Sequence, residues 1–228
     1  LCLEAELDFA FVDEPKSLNQ FRLIAMDMDS TLVGIETIDE IADIHGMRKQ
    51  VAEITEKAMY GEIDFSEGLI QRVALLKGLD HSVLQRVYDE RLIFNPGAEK
   101  MLKQVKIAGI KTMLISGGFT FFTDKLKDRL GLDYTFANTL ETVNGRLTGR
   151  LLGEVFGAKG KGWALNKICN ELGFRKENLI AIGDGANDLS MFAEAGVSIA
   201  YHAKPIVQEN ATYAINHVGL DGVINIFQ

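Results

Sequence analysis

Three short apolar runs, each broken off by acidic or glycine-rich residues, constrain the fold of this chain most. Phe21 to Met26 (FRLIAM) ends at Asp27, Gly109 to Ile115 (GIKTMLI) ends at Ser116-Gly117-Gly118, and Leu179 to Ile182 (LIAI) ends at Gly183-Asp184-Gly185. Runs this short and apolar read as strands buried on both faces, the pattern of a parallel sheet. Helical spacing fills the intervals. Met101, Leu102 and Val105 recur at three and four over Ala98 to Ala108. Phe119 to Leu130 repeats the pattern and stops at Gly131, and Lys161 to Leu172 is followed by Gly173, glycine being the common residue just past a helix end. Val197 to Ala200 and Tyr213 to Ile215 read as further short strands. Asn144-Gly145 marks a hairpin within Leu140 to Val155. Alternating strands and helices predict an α/β layer fold with a Rossmann-like parallel sheet core.

One block breaks the alternation. Residues 36 to 92 hold no strand-like run and read as four helices, Thr37 to His45, Lys49 to Met59, Phe65 to Leu76 and Ser82 to Arg91. The block follows the first strand directly, so it is expected to be a small helical cap over the strand ends. The expected division is an N-terminal extension or linker at 1–20, a catalytic core at 21–35 and 93–228, and the cap at 36–92.

Composition excludes several function classes. The 228 residues are 47% apolar and 25% charged, enough to bury a core of useful size. The net charge of -8 argues against nucleic acid as the main partner, since such binders show a basic face. It leaves room for a small anionic substrate, because a metal or a few cations reverse the sign inside one cleft. No apolar run reaches the length that spans a bilayer, and the acidic start, Leu1 to Pro15, lacks the basic region of a secretory signal. Cys2 and Cys169 form no CxxC pair, and two isolated cysteines suit a reducing cytoplasm. A chain opening on Leu rather than Met reads as a piece of a longer protein.

In open α/β sheets, ligands bind beyond the carboxyl ends of the strands. Those ends here supply Asp27 and Asp29, then Ser116, then Asp184, with Asp188 close behind. Carboxylates gathered in this way suit a hard cation such as Mg2+, which keeps waters and accepts a phosphate oxygen. A carboxylate can also attack phosphorus, while a second one protonates the leaving oxygen and later deprotonates water. Ser116-Gly117-Gly118 is read as opening a helix, whose free N–H groups and positive dipole end favour an anion. Lys159 and Lys161 both lie just before the expected helix, and either can balance charge on a phosphoryl group. Spacing alone does not choose between them.

DMDST (27–31), SGG (116–118), a lysine before a helix and GDGAND (183–188), in this order, resemble the four motifs of the haloacid dehalogenase-like superfamily. The likeness extends over residues 21 to 226. The Ser-Thr form of the first motif, the helical insertion and GDGANDLSMF resemble those members that hydrolyse O-phosphoserine to serine and phosphate, the last step of serine biosynthesis. The resemblance implies Asp27 as nucleophile and Asp29 as general acid/base. It implies Mg2+ as cofactor, held by Asp27, Asp184 and the backbone carbonyl of Asp29, with Asp188 in support. Ser116 and Gly117 would bind phosphate, Gly118 and Thr31 would be supporting residues, and Asn187 would meet the substrate. The motif lysine would be Lys161, 23 residues before Asp184. In the cap, Glu36 would meet the substrate ammonium and Arg72 its carboxylate. By residue type alone, Glu36 reads equally as a helix start and Arg72 as a solvated helix residue. The first 20 residues fall outside the motifs and read as a linker or remnant of an N-terminal regulatory domain. Alternatives are a phosphotransferase to an alcohol such as homoserine, a receiver domain bearing a phosphoaspartate, and a binding protein that kept the fold without activity. Receivers are about half this length and lack a helical block.

Overall fold

A computed structural model describes residues 7–12, 15–59 and 62–227. Cys2 and the first six residues of the expected extension lie outside them. Seven strands form one sheet: β1 (Leu23–Met26), β2 (Lys111–Phe119), β3 (Tyr134–Val143), β4 (Arg146–Leu152), β5 (Leu179–Gly183), β6 (Val197–Tyr201) and β7 (Tyr213–Ile215). Their order is β4-β3-β2-β1-β5-β6-β7. All neighbours run parallel except β3 and β4, which form the expected hairpin. Asn144 and Gly145 turn it at φ 50° and 76°, the left-handed pair that a two-residue hairpin turn requires. The chain leaves β1 toward β2 on one side and returns to its other side at β5. That reversal opens a crevice at the carboxyl ends of β1, β2 and β5.

Burial on both faces follows from the apolar runs. Along β1, Ile24 and Met26 pack into one layer and Leu23 and Ala25 into the other, because successive side chains alternate across a strand. Helices α5 (Ala98–Ile107) and α6 (Thr120–Leu130) bring Met101, Leu102, Val105, Phe122 and Leu126 to the first layer. Helix α7 (Ala158–Glu171) brings Ala164, Leu165 and Ile168 to the second. Each fully buried Leu or Ile contributes roughly 1.5–3 kcal/mol relative to an exposed one.

Between β1 and β2 come α1 (Thr37–Ile44), α2 (Arg48–Met59), α3 (Phe65–Leu75) and α4 (Ser82–Glu90). The two crossings to this block lie side by side: Val33 bridges Phe94 antiparallel, and the Gly34 N–H donates to the Ile93 carbonyl. The far end of α3 is stitched to the β3–β4 hairpin. Gly78 N–H donates to the Leu147 carbonyl and Leu147 N–H to the Leu79 carbonyl, at 2.8 and 2.9 Å.

Two expectations fail at the strand ends. Ser116-Gly117-Gly118 does not open a helix. β2 runs on to Phe119, which pairs with Asn138 after a register shift, and α6 begins only at Thr120. The glycines permit this irregular extension of the strand. Lys159 and Lys161 do not precede a helix either. Gly157 is the N-cap of α7, so both lysines lie in its first turns.

Candidate active site

The sheet ladder extends beyond β1 just far enough to fix Asp27, whose N–H donates to the Ile182 carbonyl of β5 at 3.0 Å. The chain then turns tightly, with Leu32 and Val33 N–H groups both donating to the Met28 carbonyl. Ser30 sits inside this turn at φ 56°, a left-handed conformation unusual for a non-glycine residue. Three contacts hold it there. Its N–H donates to the Ile35 carbonyl, its own carbonyl accepts from Asn95 Nδ2, and its hydroxyl donates to Glu36 Oε1 at 2.7 Å. A backbone held this way at a strand end is a common feature of functional loops.

Asp27, Asp184 and Asp188 present carboxylate oxygens within 4.8 Å of one another. Lys161 enters from α7, fully buried, with Nζ 2.7 Å from Asp27 Oδ2 and 2.7 Å from Asp188 Oδ1. Asp188 reaches this position because residue 183 has no side chain, since a Cβ there would stand 2.4 Å from the Asp188 carboxylate. Thr31 is buried and donates its hydroxyl to Asp184 Oδ1 at 2.7 Å. Asp29 is held by the start of α1, accepting from Thr37 N–H at 3.3 Å and Thr37 Oγ1 at 3.1 Å. A Cβ on Gly118 would meet both Asp29 Oδ2 and Ser116 Oγ at 3.0 Å. These two groups therefore converge over an opening that only glycine leaves free.

The acids crowd one another out of their ordinary ionisation. Burial pushes Asp27 well up, Asp188 and Asp184 push the same way, and Lys161 opposes them. Burial also raises Asp29 strongly, reinforced by Glu36 and Asp27, against the two Thr37 hydrogen bonds. Asp184 rises to about 6, mainly through burial. For Lys161 burial opposes the charge, yet Asp188 and Asp27 outweigh it and hold the ammonium protonated. One buried cation thus faces three acids. Excess carboxylate with hard oxygen donors at one point fits a divalent cation. Asp27, Asp184 and Asp188 can hold it. Asp188, expected only in support, belongs to this side-chain cluster, whereas Asp29, expected to serve through its backbone carbonyl, has no carboxylate in it.

The remaining residues line the approach. Glu36 stands at the mouth, where crowding by protein raises its carboxyl. Half-buried Arg72 donates Nε to the Gly68 carbonyl one turn back in α3. Asp39, Glu36 and Asp29 all act on its charge, yet it forms no ion pair with any of them. Its guanidinium Nη groups remain uncommitted among the described residues. Asn187 follows Asp184 on a single 3-10 turn and hydrogen-bonds to none of the other candidates. Phe65, at the start of α3, lies against Gly117 and Gly157, where a Cβ would be 2.8 and 3.1 Å from its ring. The helical block therefore touches the strand end that carries Ser116. Thr37 and Phe65 were not singled out from sequence. Thr37 sits six residues after Thr31 as an ordinary helix-start threonine, and only tertiary contact distinguishes it.

Residues 21–196 match the model of the haloacid dehalogenase-like hydrolases. A phosphoserine phosphatase of Polaromonas sp. is 52% identical over 214 residues, 92% of this chain and 91% of its own. Another, from Albidiferax ferrireducens, is 49% identical over 219 residues, 94% of this chain and 92% of its own. A solved phosphoserine phosphatase described as a phospho-aspartyl intermediate analogue superposes with a TM-score of 0.85. It is 42% identical, over 91% of this chain and 99% of that one.

Proposed function

We infer that this chain, which belongs to the haloacid dehalogenase-like hydrolases, is a phosphoserine phosphatase that cleaves O-phosphoserine to serine and phosphate through a phosphoaspartate. The observation that carries the reading is the buried Lys161, 2.7 Å from both Asp27 and Asp188 within a three-carboxylate cluster at the strand ends. Two relatives of similar length bear the same activity in their names.

In this reading Asp27 Oδ attacks phosphorus in line and the bond to the serine oxygen breaks. Asp29, whose hold on a proton is strengthened by burial and by Glu36, donates its proton to that oxygen, so serine leaves neutral at its hydroxyl. The carboxylate of Asp29 then takes a proton from water. The water oxygen joins phosphorus, the Asp27–phosphorus bond breaks, and inorganic phosphate departs. Lys161 and the Ser116 hydroxyl hold phosphoryl oxygens throughout, and such fixed charge dominates phosphoryl-transfer catalysis. A divalent cation on Asp27, Asp184 and Asp188, Mg2+ in our reading, supplies charge that keeps these acids ionised and neutralises the phosphate.

Substrate choice would rest on the helical block. Arg72 offers a planar fork to the serine carboxylate, and Glu36 offers a negative charge to its ammonium. The block at 36–92 would act as a cap that excludes bulk water. The cytoplasm is the expected location, and no helix among the described residues is long and apolar enough to cross a membrane.

The test is phosphate release from a panel of phosphomonoesters with Mg2+, comparing the protein with Asp27→Asn. O-phosphoserine should be turned over far better than sugar phosphates, and the variant should be inactive. Undiminished turnover by Asp27→Asn would sink the mechanism, and equal turnover of sugar phosphates would sink the substrate. Transfer of the phosphoryl group to an added acceptor alcohol in place of water would recast the activity as phosphotransfer.

A further inference from the structure

Asn138 is an anomaly in β3. Asparagine is depleted in strands, yet this one is 3% exposed and lies behind the catalytic strand end. Its amide is saturated. Nδ2 donates to the Gly117 carbonyl at 2.9 Å and to the Phe156 carbonyl at 2.9 Å, while Oδ1 accepts from the Phe156 N–H at 2.7 Å. The partners are two acceptors and one donor, so a single amide orientation satisfies all three. The reverse orientation would set the amide oxygen against two carbonyl oxygens.

Each partner adjoins a group that would hold the phosphoryl oxygens. Gly117 and Gly118 share a peptide plane. Its carbonyl accepts from Asn138, and its N–H donates to Ser116 Oγ at 2.8 Å. A peptide polarised by a donor at its oxygen donates more strongly from its nitrogen. With one lone pair of Ser116 Oγ thus occupied, the hydroxyl proton is left to point outward and donate to an anion. On the other side, Phe156 precedes Gly157, the N-cap of α7, whose carbonyl accepts from Lys161 N–H at 3.1 Å. One buried side chain therefore spans the loop that orients Ser116 and the loop that starts the helix of Lys161.

We propose that Asn138 is a positioning residue for the phosphoryl pocket, setting Ser116 as a hydrogen-bond donor and fixing its separation from Lys161 without touching substrate. The inference rests on reading Ser116 and Lys161 as the holders of the phosphoryl oxygens. No other side chain of this size meets the three partners. Aspartate lacks both donors, and leucine leaves three buried backbone groups unpaired.

The experiment is a double-mutant cycle on Asn138→Asp, Asn138→Leu and Ser116→Ala, reading inhibition by inorganic phosphate in the presence of Mg2+. O-phosphoserine and an aryl phosphate serve as substrates. Each Asn138 variant should weaken phosphate inhibition about tenfold or more, corresponding to one to two lost hydrogen bonds. kcat should fall alike on both substrates, because the amino-acid end is untouched. In the Ser116→Ala background the loss should shrink to about threefold or less, since residues acting through one another are not additive. Wild-type phosphate inhibition in a folded Asn138 variant, or full additivity with Ser116→Ala, would overturn the proposal. If Ser116→Ala is itself silent, the reading of the pocket falls and the proposal with it. Should neither Asn138 variant fold, a crystal structure of the wild-type protein with Mg2+ and phosphate decides. Gly118 N–H should remain on Ser116 Oγ while that hydroxyl donates to the anion. A Gly118 N–H turned away from Ser116 onto the phosphate would refute it.

Discussion

Lys161 Nζ lies 2.7 Å from Asp27 Oδ2, and neither side chain is more than 8% exposed. In an interior of low dielectric, each charge is tolerable chiefly because of the other, and Asp188 at 2.7 Å makes the cation shared. Lys161→Ala should therefore lower stability by about 3–5 kcal/mol, the usual consequence of stranding a buried partner. Lys161→Met should lose turnover as fully, since it restores the aliphatic stem without the charge. Thermal melts and phosphate release check both, and a stable, active Lys161→Met would remove the lysine from the chemistry.

In the proposed reading Arg72 meets the substrate carboxylate. Its uncommitted Nη groups, in the field of Asp39 and Glu36, predict that Arg72→Ala will lower kcat/KM for O-phosphoserine by about 10–100-fold, the worth of charge-assisted hydrogen bonds. An aryl phosphate, which has no carboxylate to lose, should change by less than about threefold on the same scale. Equal losses on both substrates would take Arg72 out of recognition.

Thr37 holds Asp29 by two hydrogen bonds. Its N–H and hydroxyl both donate to Asp29 and favour the ionised carboxylate. Thr37→Val keeps the shape and deletes the hydroxyl contact, so Asp29 should hold its proton to still higher pH. If Asp29 is the base of the proposed mechanism, the acid limb of that step should then shift upward by about one pH unit, equivalent to one hydrogen bond to a charge. The pH dependence of kcat measures this. A downward shift, or none, would contradict the role of Thr37.

The metal-free protein should show an inverted pH response. Asp184 has a folded-state value of about 6 against 3.8 for an ordinary aspartate, and Asp27 and Asp29 are displaced the same way. A raised carboxyl binds more protons in the folded than in the unfolded state, so its contribution is full below about 4 and is lost as pH rises through the folded value. With chelator present, the melting temperature should fall between pH 5 and pH 7.5. Adding Mg2+ at pH 7.5 should restore it, by about 2.7 kcal/mol at a hundredfold excess over the dissociation constant. A flat profile without metal would mean that the acids are relieved by some other group.

Local sequence carried the fold class, because a strand buried on both faces must be a short apolar run and a helix must show its period. Leu23–Met26, Leu179–Gly183 and Tyr213–Ile215 stand within a residue of where their apolar runs end. The same logic placed Asp27 and Asp184 together, since parallel strands present their carboxyl ends to one edge. It failed at Ser116-Gly117-Gly118, where glycines serve a strand extension as readily as a helix start. Pairing with Asn138, distant in sequence, settles the choice.

The two lysines mark the division most sharply. Residue type and local spacing left Lys159 and Lys161 equivalent, and only the family resemblance favoured Lys161. Within α7 they lie two residues and roughly 200° apart around the axis, so Lys159 faces solvent while Lys161 is fully buried against Asp27 and Asp188. What the sequence by itself determined was the inventory of chemical groups and the sheet edge to which they come. Which groups face one another was decided by the tertiary structure. Helix phase, the missing side chain at Gly183 and buried amides such as Asn138 set those distances, and each depends on residues far apart in the chain.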